Sequence, residues 1–131
     1  MTEILNLNVF IPAPAQLIYE TWMNSEGHTA MTGSPARIDP RPGGEFVAWD
    51  GYIWGKTLTL EPYRRIIQSW RTTEFSDDAP DSMVTVLLQP ELDGTRLILR
   101  HTEIPDGQGA GYQQGWQEYY FSPMLEYFSN K

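Results

Sequence analysis

Tyr112-Gln113-Gln114-Gly115-Trp116-Gln117-Glu118-Tyr119-Tyr120-Phe121-Ser122-Pro123-Met124-Leu125-Glu126-Tyr127-Phe128 carries large apolar side chains at 112, 116, 119, 120, 124, 127 and 128. An α-helix turns once in about 3.6 residues, so this spacing gathers them on one stripe. Gln113, Gln117, Glu118, Ser122 and Glu126 take much of the other side. The spacing predicts an amphipathic helix built to lie along an apolar surface. Ordering such a segment costs roughly what burying its stripe gains, so the helix needs a docking partner. Pro123 removes the N–H that would bond the Tyr119 carbonyl, and a bend is expected near 119–123.

The chain before this helix supplies the surface. Residues 3–11 alternate, with Leu5, Leu7, Val9 and Ile11 on one face of a predicted strand. Pro14 suits the first turn of a short helix lined by Leu17, Ile18, Thr21 and Trp22. Ser25 is a plausible N-cap for a second helix. Strands then follow in succession: Ala36–Asp39, Glu45–Trp49, Tyr52–Leu60, Arg65–Glu74, Met83–Gln89 and Thr95–Thr102. Asp50-Gly51 is the strongest hairpin signal, since both residues tolerate the positive φ angles of a type I′ turn. Asp93-Gly94 is placed at the turn of a second hairpin. The acidic loop 76–81 should be exposed, and the glycines at 107, 109 and 111 read as a flexible lead into the last helix. Successive strands joined by tight turns mean an antiparallel sheet, and helices at both ends give an α+β class. The expectation is one domain over 1–131: about six to seven curved strands wrapped around a long C-terminal helix.

Forty per cent hydrophobic residues in 131 exclude a disordered chain. No apolar run is long enough for a membrane-spanning helix, and no secretory signal is visible. The absence of cysteine removes disulfides, thiolate chemistry and cysteine-based zinc sites, and a cytoplasmic setting is expected. A net charge of −8, with only two lysines, argues against nucleic acid as a partner. His28 and His101 are the only histidines, and no metal-binding spacing accompanies them. No nucleophile elbow or phosphate loop appears either, so no cofactor is expected. Exposed strand edges leave monomer and homodimer both open.

Five short motifs add a resemblance. Gly43-Gly44-Glu45-Phe46, Asp50-Gly51-Tyr52-Ile53-Trp54-Gly55, Ile66-Ile67-Gln68-Ser69-Trp70-Arg71, Ile104-Pro105 and Gly115-Trp116-Gln117-Glu118-Tyr119-Tyr120-Phe121 occur in this order. From about residue 8 to 128 the chain resembles the C-terminal domain of the activator of the heat-shock protein 90 ATPase, within the START-like (SRPBCC) superfamily. The separate chaperone-binding domain of that co-chaperone has no counterpart in these 131 residues. The resemblance implies a helix-grip fold with a hydrophobic cavity between concave sheet and long helix. It implies either a small apolar ligand, a chaperone partner in a stress response, or cyclase- or hydrolase-type chemistry.

Within that frame the candidate ligand-contacting residues are Trp49, Tyr52, Trp54, Trp70, Leu97, Leu99, His101, Trp116, Tyr120 and Met124. Aromatic side chains suit an apolar pocket and a plain core alike. Leu97, Leu99 and His101 share one strand face by their even spacing. His101 is therefore either a polar group facing a ligand, able to shuttle a proton, or a core histidine held by a buried hydrogen bond. Arg71 is either a solvated sheet residue or a counter-charge for an acidic ligand group.

Overall fold

The computed structural model describes residues 2–130. Its strands are β1 (Thr2–Ile11), β2 (Arg37–Ile38), β3 (Glu45–Ala48), β4 (Ile53–Glu61), β5 (Arg65–Thr72), β6 (Ser82–Glu91) and β7 (Gly94–Pro105). They form one antiparallel sheet in the order β1-β7-β6-β5-β4-β3-β2. Period-two alternation sets its faces. Ile66, Gln68 and Trp70 of β5, Val84, Val86 and Leu88 of β6, and Leu97, Leu99 and His101 of β7 are buried. The alternation breaks at Glu103, whose φ of 60° sits in the left-handed region, and this turns Ile104 into the core.

The β3–β4 turn is the expected one at its centre. Asp50 and Gly51 have φ of 55° and 94°, and the Tyr52 N–H bonds the Trp49 carbonyl at 3.1 Å. Strand pairing nevertheless stops at Ala48 and Ile53, because Trp49 also takes a positive φ of 51°. The second hairpin is shifted by one residue from the expectation. Glu91 pairs with Gly94, so Leu92 and Asp93 make the turn. Gly94 is needed for a different reason: a Cβ there would stand 2.3 Å from the Ile11 carbonyl oxygen.

Helices α1 (Ala15–Trp22) and α2 (Ser25–Thr32) follow β1. Asn24, not Ser25, caps α2, accepting from the Gly27 N–H at 2.7 Å. Ser25 is occupied elsewhere, its hydroxyl accepting from the Ile38 N–H at 2.8 Å and tying α2 to β2.

The last helix runs continuously as α3 (Gly109–Gly115), a π-helical stretch (Trp116–Phe121) and α4 (Ser122–Ser129). Pro123 is the reason for the wide turns. It offers no N–H, and the Ser122 N–H just before it reaches back five residues to the Gln117 carbonyl. The wide stretch also explains which residues are inside. Tyr112, Trp116, Tyr120, Met124 and Phe128 are buried at strict four-residue intervals. In a pure α-helix that spacing drifts by roughly 40° per step; the added residue in the π turns brings the stripe back into phase. Phe121 joins the buried face, and Tyr119, expected on the stripe, is displaced to the surface at 54% exposure.

The glycine-rich lead is anchored rather than loose. Glu3 of β1 accepts from the backbone N–H groups of Gly107 (3.1 Å) and Gly109 (2.7 Å). These bonds hold its carboxyl below the ordinary carboxylate range, and a Cβ on Gly109 would meet the Glu3 oxygen at 2.5 Å. The helix-grip arrangement expected from the sequence is therefore the fold found.

Candidate functional site

Where β4 begins and β5 ends, a pocket of about 390 Å³ opens between the sheet and the last helix. Trp70, Trp116, Tyr120 and Ile53 form its buried walls, and Trp49, Tyr52 and Tyr119 stand around its more exposed side. Trp49 meets Tyr119 edge-on, with ring centroids 5.3 Å apart, linking the turn to the helix. A tryptophan at positive φ is strained, and its buried indole N–H finds no acceptor.

Two glycines keep the pocket open. Gly111 and Gly115 lie one helical turn apart in its wall. A Cβ on Gly111 would meet nothing within 4 Å, and one on Gly115 only Tyr119 at 3.9 Å. Gly115 has ordinary helical angles, φ −60° and ψ −44°. Neither close packing nor backbone conformation calls for glycine there, yet each costs the helix roughly 0.5–1 kcal/mol relative to alanine.

The polar tips of four wall residues are engaged outside the pocket. The Tyr52 hydroxyl donates to Glu74, and the Tyr112 hydroxyl bonds Thr72 (2.7 Å) and Gln108 (2.6 Å). Burial and hydrogen bonding to Glu74 push the Tyr52 phenol up, and burial pushes up those of Tyr112 and Tyr120. The other two tips meet histidines. The Trp116 indole N–H donates to Nδ1 of His101 (3.1 Å), so His101 carries its proton on Nε2 and donates to Ser82 (2.8 Å). Ser82 passes the chain on to the Trp70 carbonyl (2.7 Å). His28 donates from Nδ1 to the Trp22 carbonyl (2.9 Å), and its Nε2 accepts from the Tyr120 hydroxyl (2.8 Å). Burial lowers His28 to about 4 and His101 to about 3, so both are neutral near pH 7.

The structure divides the sequence candidates in two. Trp49, Tyr52, Trp70, Trp116 and Tyr120 stand together around the pocket. Leu97, Leu99 and Met124 are completely buried in the layer between sheet and helix instead. His101, also without exposed surface, has both ring nitrogens committed and no place in the pocket wall. Its geometry is that of the hydrogen-bonded core histidine, with neither a free nitrogen nor an open path for proton transfer. Trp54 lies on the outer face, since β4 turns Ile53 inward; it packs 5.9 Å from the Arg71 guanidinium. Arg71 neither faces the pocket nor floats in solvent. It ties down the acidic loop through Asp81 (2.7 Å) and the carbonyls of Ala79 and Ser76 (both 2.9 Å). Ile53, Gly111, Tyr112, Gly115 and Tyr119 were not among the candidates; the glycine pair beside an aromatic stripe is the signal that would have found the helical wall. Among the described residues, no group of three or more histidine or carboxylate side chains could hold a metal ion.

Tyr52, Gly111 and Tyr112 also line a second recess of about 220 Å³, completed by Glu74, Gly107 and Gln108. It adjoins the aromatic pocket through those three shared residues.

Comparison with known proteins matches this architecture. A crystal structure of an Hsp90 activator from Plasmodium falciparum superposes with a TM-score of 0.80 at 21% identity, covering 93% of this chain and 91% of that one. CalU16 from Micromonospora echinospora gives 0.74 at 26% identity, covering 97% and 74%. The human activator of 90 kDa heat shock protein ATPase homolog 1 is 28% identical over 119 residues, which are 91% of this chain and 35% of the human protein. An uncharacterised Schizosaccharomyces pombe protein is 28% identical over 97% of this chain and 38% of its own length. The chain thus spans about a third of these two relatives. The family model described as "Activator of Hsp90 ATPase homolog 1-like protein" matches residues 12–129. The chain belongs to that family.

Proposed function

We propose that this protein binds a small, predominantly apolar molecule in the pocket between the Trp49–Tyr52 turn and the last helix. The observation that carries this reading is the pair Gly111 and Gly115. They lower helix stability and leave space that a side chain could fill. The volume lies within the range of ordinary ligand sites, and the walls are mainly aromatic. Among the described residues, no helix is long and apolar enough to cross a membrane.

The test is a tryptophan-fluorescence titration with a panel of apolar ligands, run on the natural chain, Gly115→Ala and Gly115→Leu. Gly115→Ala should raise stability by roughly 0.5–1 kcal/mol in urea denaturation. Gly115→Leu should remain folded but bind at least about tenfold more weakly, an affinity loss of roughly 1.4 kcal/mol. Equal binding by the natural chain and Gly115→Leu would place the ligand elsewhere, and a panel with no binder at all would remove the proposal.

A second reading follows from the relatives. Because the human relative is named as an activator of a 90 kDa heat shock protein ATPase, this chain is a candidate chaperone-interacting module. Turnover of purified chaperone with and without a molar excess of the chain decides it; an unchanged rate together with no complex on a sizing column rejects it.

A further inference from the structure

We infer that the aromatic pocket selects organic cations, taking the apolar body of a quaternary or protonated amine among its rings with the charge toward Glu74. This deepens the proposed ligand-binding function and rests on it.

The wall chemistry comes first. The faces of Trp and Tyr rings carry negative potential and attract a cation held within about 6 Å of their centroids. Trp49, Tyr52, Trp70, Trp116, Tyr119 and Tyr120 surround the pocket, and no lysine or arginine lines it or the adjoining recess. The hydroxyls of Tyr52 and Tyr120 and the indole N–H of Trp116 are spent on Glu74, His28 and His101. Those three donors are therefore already engaged, which leaves the Trp49 indole N–H, buried without an acceptor, as a single uncharged donor in the wall.

The adjoining recess supplies the charge. The Glu74 carboxylate accepts from Tyr52 at the boundary of the two cavities, and among the described residues no arginine or lysine forms an ion pair with it. A helix N-terminus nearby would ordinarily favour an anion. Here the N–H groups of Gly107 and Gly109 are already bonded to the Glu3 carboxylate. The chain's net charge of −8 acts in the same direction at longer range.

The experiment compares three probes of nearly equal shape: phenyltrimethylammonium, tert-butylbenzene and benzenesulfonate. Each is titrated against the full chain at low and moderate salt, with binding followed by indole N–H resonances in NMR spectra. The cation should bind roughly three- to thirty-fold more tightly than its neutral isostere, the range expected for a desolvated cation over aromatic faces. Benzenesulfonate should not bind. Glu74→Gln, which keeps an acceptor for Tyr52, should weaken the cation several-fold and leave tert-butylbenzene unchanged. Gly115→Leu should weaken both, placing them in this pocket. If tert-butylbenzene binds as well as the cation, the inference falls while the apolar-ligand proposal stands. If neither binds, the inference falls, and the wider apolar panel then decides separately whether the pocket takes any ligand. Cation binding unaffected by both substitutions would overturn the assignment to this site.

Discussion

Trp116→Ala is expected to lower the stability of the fold by about 3–5 kcal/mol, the usual range for deleting a core aromatic side chain. Trp116 is 3% exposed and sits among Trp22 (6.4 Å, nearly parallel), Trp70 (5.6 Å) and Tyr120 (4.8 Å between centroids). Its removal leaves a hole between α1, the sheet and the last helix. It also strips the donor from Nδ1 of His101, a buried acceptor with no other partner, which adds its own desolvation cost. Trp116→Phe helps to separate the two effects, because it keeps much of the aromatic volume while losing the N–H. It should cost less than the alanine variant, by roughly 1–3 kcal/mol. Urea denaturation with an unchanged slope is the measurement. A loss below about 1 kcal/mol for the alanine variant would mean that the helix is not seated as described.

Acid should unfold this protein through its two histidines. In the unfolded chain both titrate near 6.5, whereas burial depresses them to about 4 (His28) and about 3 (His101) in the fold. Above pH 6.5 both states are neutral at these sites and the folded state keeps its full stability. As pH falls below 6.5, the unfolded chain takes up protons that the native state refuses. Stability then declines until pH passes the depressed values, after which no more is lost. Each histidine contributes a slope of about 1.4 kcal/mol per pH unit inside that window, so the pair contributes roughly 2.7. Against a typical total of about 5–15 kcal/mol, a fall from pH 6 to 4.5 removes a large share. Relief of carboxylate repulsion offsets only part of it. The check is the urea midpoint at pH 7, 6 and 5. A midpoint that does not fall between pH 6 and 5 would show that the histidines are not buried neutral.

Most of the architecture was readable because one-sided burial imposes a period of two on strands and about 3.6 on helices. Leu97, Leu99 and His101 could be assigned to the inner face by parity alone. What His101 does there could not, since its role is fixed by Ser82 and Trp116, residues brought to it only by the sheet and the docked helix. Aromatic character alone does not say that Trp54 faces outward; that follows from β4 beginning at Ile53, which points inward. The pocket was hidden for another reason. It exists where Gly111 and Gly115 lack side chains, and a pattern search for large residues passes over them. The anchoring of the glycine-rich lead by Glu3 joins positions more than a hundred residues apart, beyond any local signal.

The place of β1 in the sheet governs how the protein comes off the ribosome. Among the described residues β1 lies at an edge of the sheet and pairs with β7 alone, Leu5 standing opposite His101. Its apolar face cannot be covered in native form until the hairpin of β6 and β7 and the last helix have emerged. At roughly 5–20 residues per second, the interval between synthesis of Leu5 and His101 is on the order of 5–20 s. Throughout that time a ten-residue strand waits with both edges open, a template for pairing with other nascent chains. The native pairing is also among the most distant in sequence, which slows folding even after the partner arrives. Asn6 and Asn8, alternating with Leu5, Leu7 and Val9, make the middle of one face of the waiting strand polar, between Ile4 and Phe10, and Glu3 adds charge near its start. Polar and charged side chains on an open edge strand disfavour pairing with other chains.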